Sequence, residues 1–294
     1  MPAGILFSIV IAACAAGVAC SSDRPASVPA DSAQAHTALA ADEAWIAALT
    51  STAPATAGSA LDAEFEWTNS HGRTHTRAEA LQNLQELAAD LRGETNIQRY
   101  DYGRVHVVTS ARDGARMMRV WALRPEGWRA LGVITTTLVT GTTPFAASGA
   151  ATGDCDNPCR TMPYTPTSEN ARQIAAIFQR LKMDEWHPDP DDWASYVLDD
   201  VYYVTETAQL SKADRVERLA ALQKTGEPST PGDPVVSMRI HDFDDSAVMT
   251  ARHTPYRGGD PYCSLRVWAF RDGRWQLANT QQTVVRSTER ATTS

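Results

Sequence analysis

The chain has 294 residues, enough for two domains of ordinary size, each with its own core. Hydrophobic residues make up 43% and charged residues 21%, which places the chain among globular rather than disordered proteins. A formal net charge of −8 argues against a nucleic-acid partner, because phosphate contacts need a basic footprint.

In chain order, Gly4 to Ala19 is an uncharged, small and apolar run. It is short for a membrane span and reads as the apolar part of a secretory signal. Ile11-Ala12-Ala13-Cys14 and Gly17-Val18-Ala19-Cys20 both resemble the box at which bacterial lipoproteins are cleaved and lipidated. Cys20 is favoured, since the apolar run ends there. The missing Lys or Arg in Met1 to Gly4 departs from the pattern, and an ordinary cleaved signal is the alternative. Residues 1–20 are thus expected to be a signal, and 21–35, rich in Ser, Pro, Ala and Asp, a flexible tether. The expected location is the bacterial periplasm or outer membrane, with membrane contact only through an N-terminal lipid.

Domain one is predicted over 36–140. His36, Leu39, Ala40, Glu43, Ala44, Ile46 and Ala47 give a mostly apolar helix face. Leu61 to Asn69 reads as a short helix passing into a strand. Thr76-Arg77-Ala78-Glu79 fits a capping box ahead of Leu81, Leu84, Leu87 and Leu91. Strands are expected near 102–109, 116–123 and 128–137. His71 and His75 flank a turn and are expected to be exposed.

The segment 141–167 is a linker carrying Cys155 and Cys159, which in an exported chain are expected to form a disulfide. Domain two, 168–288, repeats the plan. Ser168 caps a helix, Asp199 to Thr205 answers Glu64 to Thr68, and Ser211-Lys212-Ala213-Asp214 answers the first capping box. Four strands follow, over 235–243, 247–256, 264–271 and 275–284. Cys263 is expected to be a core thiol.

The repeat is clearest in one hairpin. Arg119-Val120-Trp121-Ala122-Leu123-Arg124 returns as Arg266-Val267-Trp268-Ala269-Phe270-Arg271, an offset of 147 residues, and Trp128 falls on Trp275 at the same offset. From cap to hairpin the second copy is longer, 55 residues from Ser211 to Arg266 against 43 from Thr76 to Arg119. Domain one is therefore expected to have lost or shortened a strand. The fold class is α+β, two tandem cone-shaped domains with N-terminal helices packed on a curved antiparallel sheet.

The residues around Trp45 and Trp186, the acidic-aromatic elements Glu64 to Glu79 and Asp200 to Asp214, and the closing Arg-Val-Trp…Trp hairpin resemble the SnoaL-like branch of the nuclear transport factor 2-like superfamily. The resemblance covers nearly all of 36–138 and 168–285. It implies cone-shaped domains, often paired through their sheets, and no single chemistry. Enzymes of the superfamily place an Asp or His base in the cone, opposite a Tyr or Asp that holds an oxyanion.

Domain two is the better place to look for such a set. Strand alternation groups Met249, Ala251 and His253, and separately Arg266, Trp268 and Phe270. One arrangement open to it is a pocket of Tyr203, His241, His253, Tyr256 and Trp268. The catalytic candidates are His253 or Asp200 as base and Tyr203 or Tyr256 as oxyanion donor. The ligand-pocket candidates are Trp186, Arg252, Arg266, Trp268 and Trp121. The competing reading, which we prefer, makes a lone strand His structural and the aromatics core. His187 to Asp192 offers metal-ligating atoms, but two prolines stiffen it, and Asp191 or Asp192 more simply caps the next helix. No metal and no cofactor is expected. The expected function is an envelope-tethered protein that binds a small apolar ligand or another envelope protein. The alternative is an isomerase- or cyclase-like enzyme working in domain two. A further expectation is that the domains form a pseudo-dimer, burying Val120 and Ala122 against Val267 and Ala269.

Overall fold

The computed structural model describes residues 33–51, 54–139, 154–226, 232–254 and 260–286. The signal with Cys14 and Cys20, most of the tether and Tyr256 lie outside the described residues. In domain one, helix α1 (Ala33–Thr50) and a 3-10 turn (Pro54–Ala60) precede β1 (Leu61–Thr68) and β2 (Thr74–Thr76). Then come α2 (Arg77–Gln82), α3 (Leu84–Asp90), β3 (Thr95–Asp101), β4 (Val105–Arg112), β5 (Ala115–Arg124) and β6 (Gly127–Thr137). Domain two runs α4 (Glu169–Trp186), α5 (Pro190–Ser195), β7 (Val197–Val204), β8 (Gln209–Leu210), α6 (Lys212–Thr225), β9 (Val235–Asp242), β10 (Ser246–His253), β11 (Tyr262–Arg271) and β12 (Arg274–Val284).

The two sheets have the same order, β2-β1-β6-β5-β4-β3 and β8-β7-β12-β11-β10-β9. Both are mixed rather than antiparallel throughout. β1 runs parallel to β6, and β7 parallel to β12, because helices separate each first strand from the meander it joins. Leu61 onward is strand from its first residue, with the turn of helix ahead of it. Domain one has lost no strand. The extra length of domain two lies chiefly in two connections: nine residues (226–234) between α6 and β9 against four (91–94) between α3 and β3, and eight (254–261) between β10 and β11 against two (113–114) between β4 and β5.

Capping follows the sequence. Thr76 and Ser211 each accept the N3 amide while the N3 acid, Glu79 or Asp214, reaches back to the cap amide. Asp189, not Asp191 or Asp192, caps α5, and Pro190 fills the first helical position, where no amide donor is needed. Cys155 and Cys159 are joined in a disulfide with Cα atoms 5.5 Å apart. Cys263 is free and buried. His75 is buried rather than exposed, stacked on Trp67 with ring centroids 4.5 Å apart.

Each domain packs its helices on one face of its sheet. Trp45, Phe65, Trp67, Leu87 and Trp121 centre the first core, and Phe178, Trp193, Met249, Trp268 and Trp275 the second. The opposite faces meet each other in a third core drawn from both domains, in which Val120, Ala122, Val267 and Ala269 are all buried. This contact is two-fold in character. Thr136 and Thr283, at the 147-residue offset, lie 2.6 Å apart through their hydroxyls, and each hydroxyl also lies within hydrogen-bond distance of a carbonyl across the interface, Gln282 at 2.9 Å and Thr135 at 2.7 Å. Arg124 stacks over Phe243, and its counterpart Arg271 over Tyr102, at 5.0 and 5.7 Å. Reciprocal contact between equivalent positions is the signature of an isologous interface. Gly72 holds a tight corner of it: its φ is +74°, and a Cβ there would stand 2.5 Å from the carbonyl oxygen of Val284.

Candidate functional site

Pleating sends alternate residues of a strand to opposite faces. On β5 that aims Met117, Arg119 and Trp121 at the helices, and on β11 it aims Ser264, Arg266 and Trp268 the same way. The repeated hairpin therefore puts one arginine and one tryptophan inside each domain.

In domain one this arginine is fully paired. Asp42 of α1 takes Arg119 side-on, Nε to Oδ1 at 2.8 Å and Nη2 to Oδ2 at 2.9 Å. Glu94 accepts from Nη1. Trp121 Nε1 donates to the same Asp42 Oδ1 at 2.8 Å. Arg119 is 2% exposed and Asp42 4%. Burial alone would lower the arginine pKa, but Asp42 and Glu94 outweigh it and raise it. A buried, bidentate, doubly countered guanidinium is fixed in place.

In domain two Arg266 is 4% exposed. Its guanidinium donates to Ser264 Oγ and lies 5.0 Å from the Phe178 ring centroid, and no carboxylate among the described residues pairs with it. The indole Nε1 of Trp268 is buried without an acceptor. A cavity of about 20 Å³ opens beside both, lined also by Phe178, Lys182, Glu185 and Tyr203. Lys182 and Arg215 both bind Glu185, at 2.7 and 2.9 Å. Burial would raise the Glu185 carboxyl, yet these two cations hold it at about 2. Two positive charges against Glu185, plus Arg266, leave the region with an excess of positive charge.

The predicted residues divide between several places. Arg266, Trp268 and Tyr203 line the cavity. Trp121 is core in domain one, and Trp186 lines neither described cavity, its ring lying against His187 at 3.9 Å. His253 is buried on the helix side of β10, but its tyrosine neighbour is Tyr262, stacked at 4.3 Å, and its Nδ1 lies 3.1 Å from the Asp233 carbonyl. Burial first, and then the charge of Arg266, drive its pKa well below the ordinary histidine value. Asp200 is exposed and acts on the other side of β7 from Tyr203: its charge bears on Tyr100 and Tyr102 of domain one. His241 likewise faces domain one, with Nδ1 3.3 Å from Glu64. Period two explains both departures, since an even residue of β7 and an odd residue of β9 fall on the interdomain face.

Arg252 lines a second and larger cavity, about 200 Å³, which lies between the domains rather than inside either. Glu66, Thr74, Arg239 and Cys263 border it, and Arg239 bonds Glu66 at 3.2 Å. No group of three or more His, Cys, Asp or Glu suited to a metal occurs among the described residues.

Sequence reasoning missed Asp42 and Glu94. Asp42 had a readable signal: it stands four residues after Ala38 and three before Trp45, both buried, so it lies on the packed stripe of α1.

No family model and no curated protein matches the chain. Solved structures do. An NTF2-like protein from Cytophaga hutchinsonii is 15% identical, with a TM-score of 0.34, over 40% of this chain and 99% of its own. An NTF2-like protein of unknown function from Pseudomonas putida is 14% identical, with a TM-score of 0.34, over 45% and 96%. An NTF2-like protein of unknown function in nutrient uptake from Rhodospirillum rubrum is 17% identical, with a TM-score of 0.33, over 38% and 98%. Each of these matches covers between 38% and 45% of this chain.

Proposed function

We propose that the chain is a non-catalytic binding protein of the bacterial envelope, tethered through a lipid on Cys20, in which domain two binds and domain one supports it. One observation carries this reading. The interior of domain two is filled by Trp268, Met249 and Phe178, which leave about 20 Å³. Sites that enclose a small organic substrate usually offer about 300–1,000 Å³. His253 has its ring against Tyr262 and Phe178 rather than against a cavity, so this histidine does not stand beside space for a carbon acid. The sheet-to-sheet contact supports a companion reading, that domain one occupies the place a second copy would take in a single-domain relative.

Native mass spectrometry of the mature protein purified from its host tests the binding role. A co-purifying small molecule that survives gentle desolvation and is lost on unfolding is the expected result. Turnover of carbonyl compounds that disappears in His253→Gln would sink it in favour of an isomerase- or cyclase-like enzyme. Metabolic labelling with a fatty acid tests the tether: label should vanish in Cys20→Ala, and a chain that never takes label has no lipid anchor.

A further inference from the structure

Resting on that binding role, we propose that domain two is a carboxylate receptor, in which Arg266 and Trp268 hold an external carboxylate where Arg119 and Trp121 hold Asp42. The two domains supply the comparison themselves. In domain one, an arginine and an indole N–H converge on a single carboxylate from the first helix. In domain two the same two donors recur at an offset of 147 residues, and the first helix offers Phe178 over the guanidinium instead of an acid. The donors are buried and one is orphaned: Trp268 Nε1 has no acceptor, and Arg266 has only a neutral hydroxyl and an aromatic face.

Such a pair is costly to keep. A buried cation without a counter-charge and a buried N–H without an acceptor each lower stability. A carboxylate from outside would satisfy both with one group, in the side-on geometry that guanidinium prefers. The neighbourhood favours an anion as well, since Lys182 and Arg215 already outnumber Glu185. Size sets the class further. About 20 Å³ holds a group scarcely larger than one water, which needs about 10–15 Å³. The head of a small carboxylic acid therefore enters alone. Lys182, Glu185 and Tyr203 are the half-buried members of the lining, so the rest of the molecule leaves on their side.

Acetate and formate are the probes, added to the full chain against chloride at equal ionic strength. At saturation, acetate should raise Tm by roughly 2–4 °C more than chloride does. The Trp268 Nε1–H resonance, assigned by its loss in Trp268→Phe, should move downfield as acetate is added, while that of Trp121 stays still. Arg266→Met should fold and lose both responses, because no buried acid depends on Arg266. In Asp42→Gly, a second acetate response should appear at Trp121. If that variant does not fold, the Trp268 titration alone decides. Equal effects of acetate and chloride, an unmoved Trp268 resonance, or a response that survives Arg266→Met would each overturn the proposal. A co-purified ligand without a carboxylate would overturn it too, yet leave the binding role intact. Turnover lost in His253→Gln would instead remove the binding role.

Discussion

The interiors of the two domains are built from one hairpin and put to different ends. Domain one closes on itself: Arg119 and Trp121 meet Asp42, Glu94 adds a second carboxylate, and nothing polar in that group is left to bond. Domain two keeps the arginine and the tryptophan and replaces the acid with Phe178. The difference is a matter of electrostatics rather than of fold, because strand order and the two capping boxes are shared.

The sharpest way to break this comparison is to remove the two arginines one at a time. Arg119→Met leaves Asp42 and Glu94 buried without their cation. Removing one partner of a buried pair costs about 3–5 kcal/mol, and urea unfolding should show a loss of that size. Arg266→Met removes a cation that no described carboxylate needs, so stability should hold or rise slightly. Equal losses for both variants would mean that Arg266 has a hidden counter-ion and that the domains are alike after all.

A second test uses pH, and the sign follows from burial. His106 of domain one is held down at about 4 by burial, only partly offset by the charge of Asp42. The unfolded chain has histidines near 6.5, so below that pH the unfolded state takes up protons that the folded state refuses. Stability should therefore be full above about pH 6.5 and fall as the pH drops toward 4. At about 1.4 kcal/mol per unit, His106 accounts for roughly 3 kcal/mol of the fall. His253 is driven down in the same direction in domain two, with Arg266 adding to burial. His106→Gln should flatten part of the slope in unfolding measured at pH 7 and pH 5, and His253→Gln another part. A slope unchanged in His106→Gln would show that its ring is not buried neutral.

How far the sequence foretells this molecule depends on the range of the interaction. The repeated hairpin, both capping boxes and the period-two faces of β10 and β11 are local, and they fold as they read. The burial of Val120 and Ala122 with Val267 and Ala269 in one core is an expectation drawn from the resemblance to domains that pair through their sheets, not from the strands themselves. The parallel joining of β1 to β6 was not legible, because nothing in an alternating strand states its direction. Nor was the fate of Asp42. A carboxylate 77 residues from its arginine is visible only once the sheet has carried β5 under α1. Asp200 and His241 show the same limit: each was placed in a cone by type, and strand parity turns each toward the other domain.

The interface offers smaller, graded tests of how alike the two halves are. Gln281 of domain two donates to the carbonyls of Arg116 and Ile134 and lies 2.9 Å from the Thr136 hydroxyl, whereas at the matching offset domain one has the apolar Ile134. Gln281→Leu should cost about 1–3 kcal/mol, since it removes the hydrogen bonds that Gln281 donates across the interface, and it should loosen the domains against each other before either unfolds. Limited proteolysis of the connecting segment would detect that loosening. The capping boxes should show the least difference of all. Thr76→Ala and Ser211→Ala each remove one cap acceptor from equivalent geometry, worth about 1 kcal/mol. Thermal unfolding should give the two variants losses within a few tenths of a kcal/mol of each other. A clear gap between them would show that the helices of the two domains have diverged along with their interiors, and that the contrast between Arg119 and Arg266 is not confined to a single carboxylate.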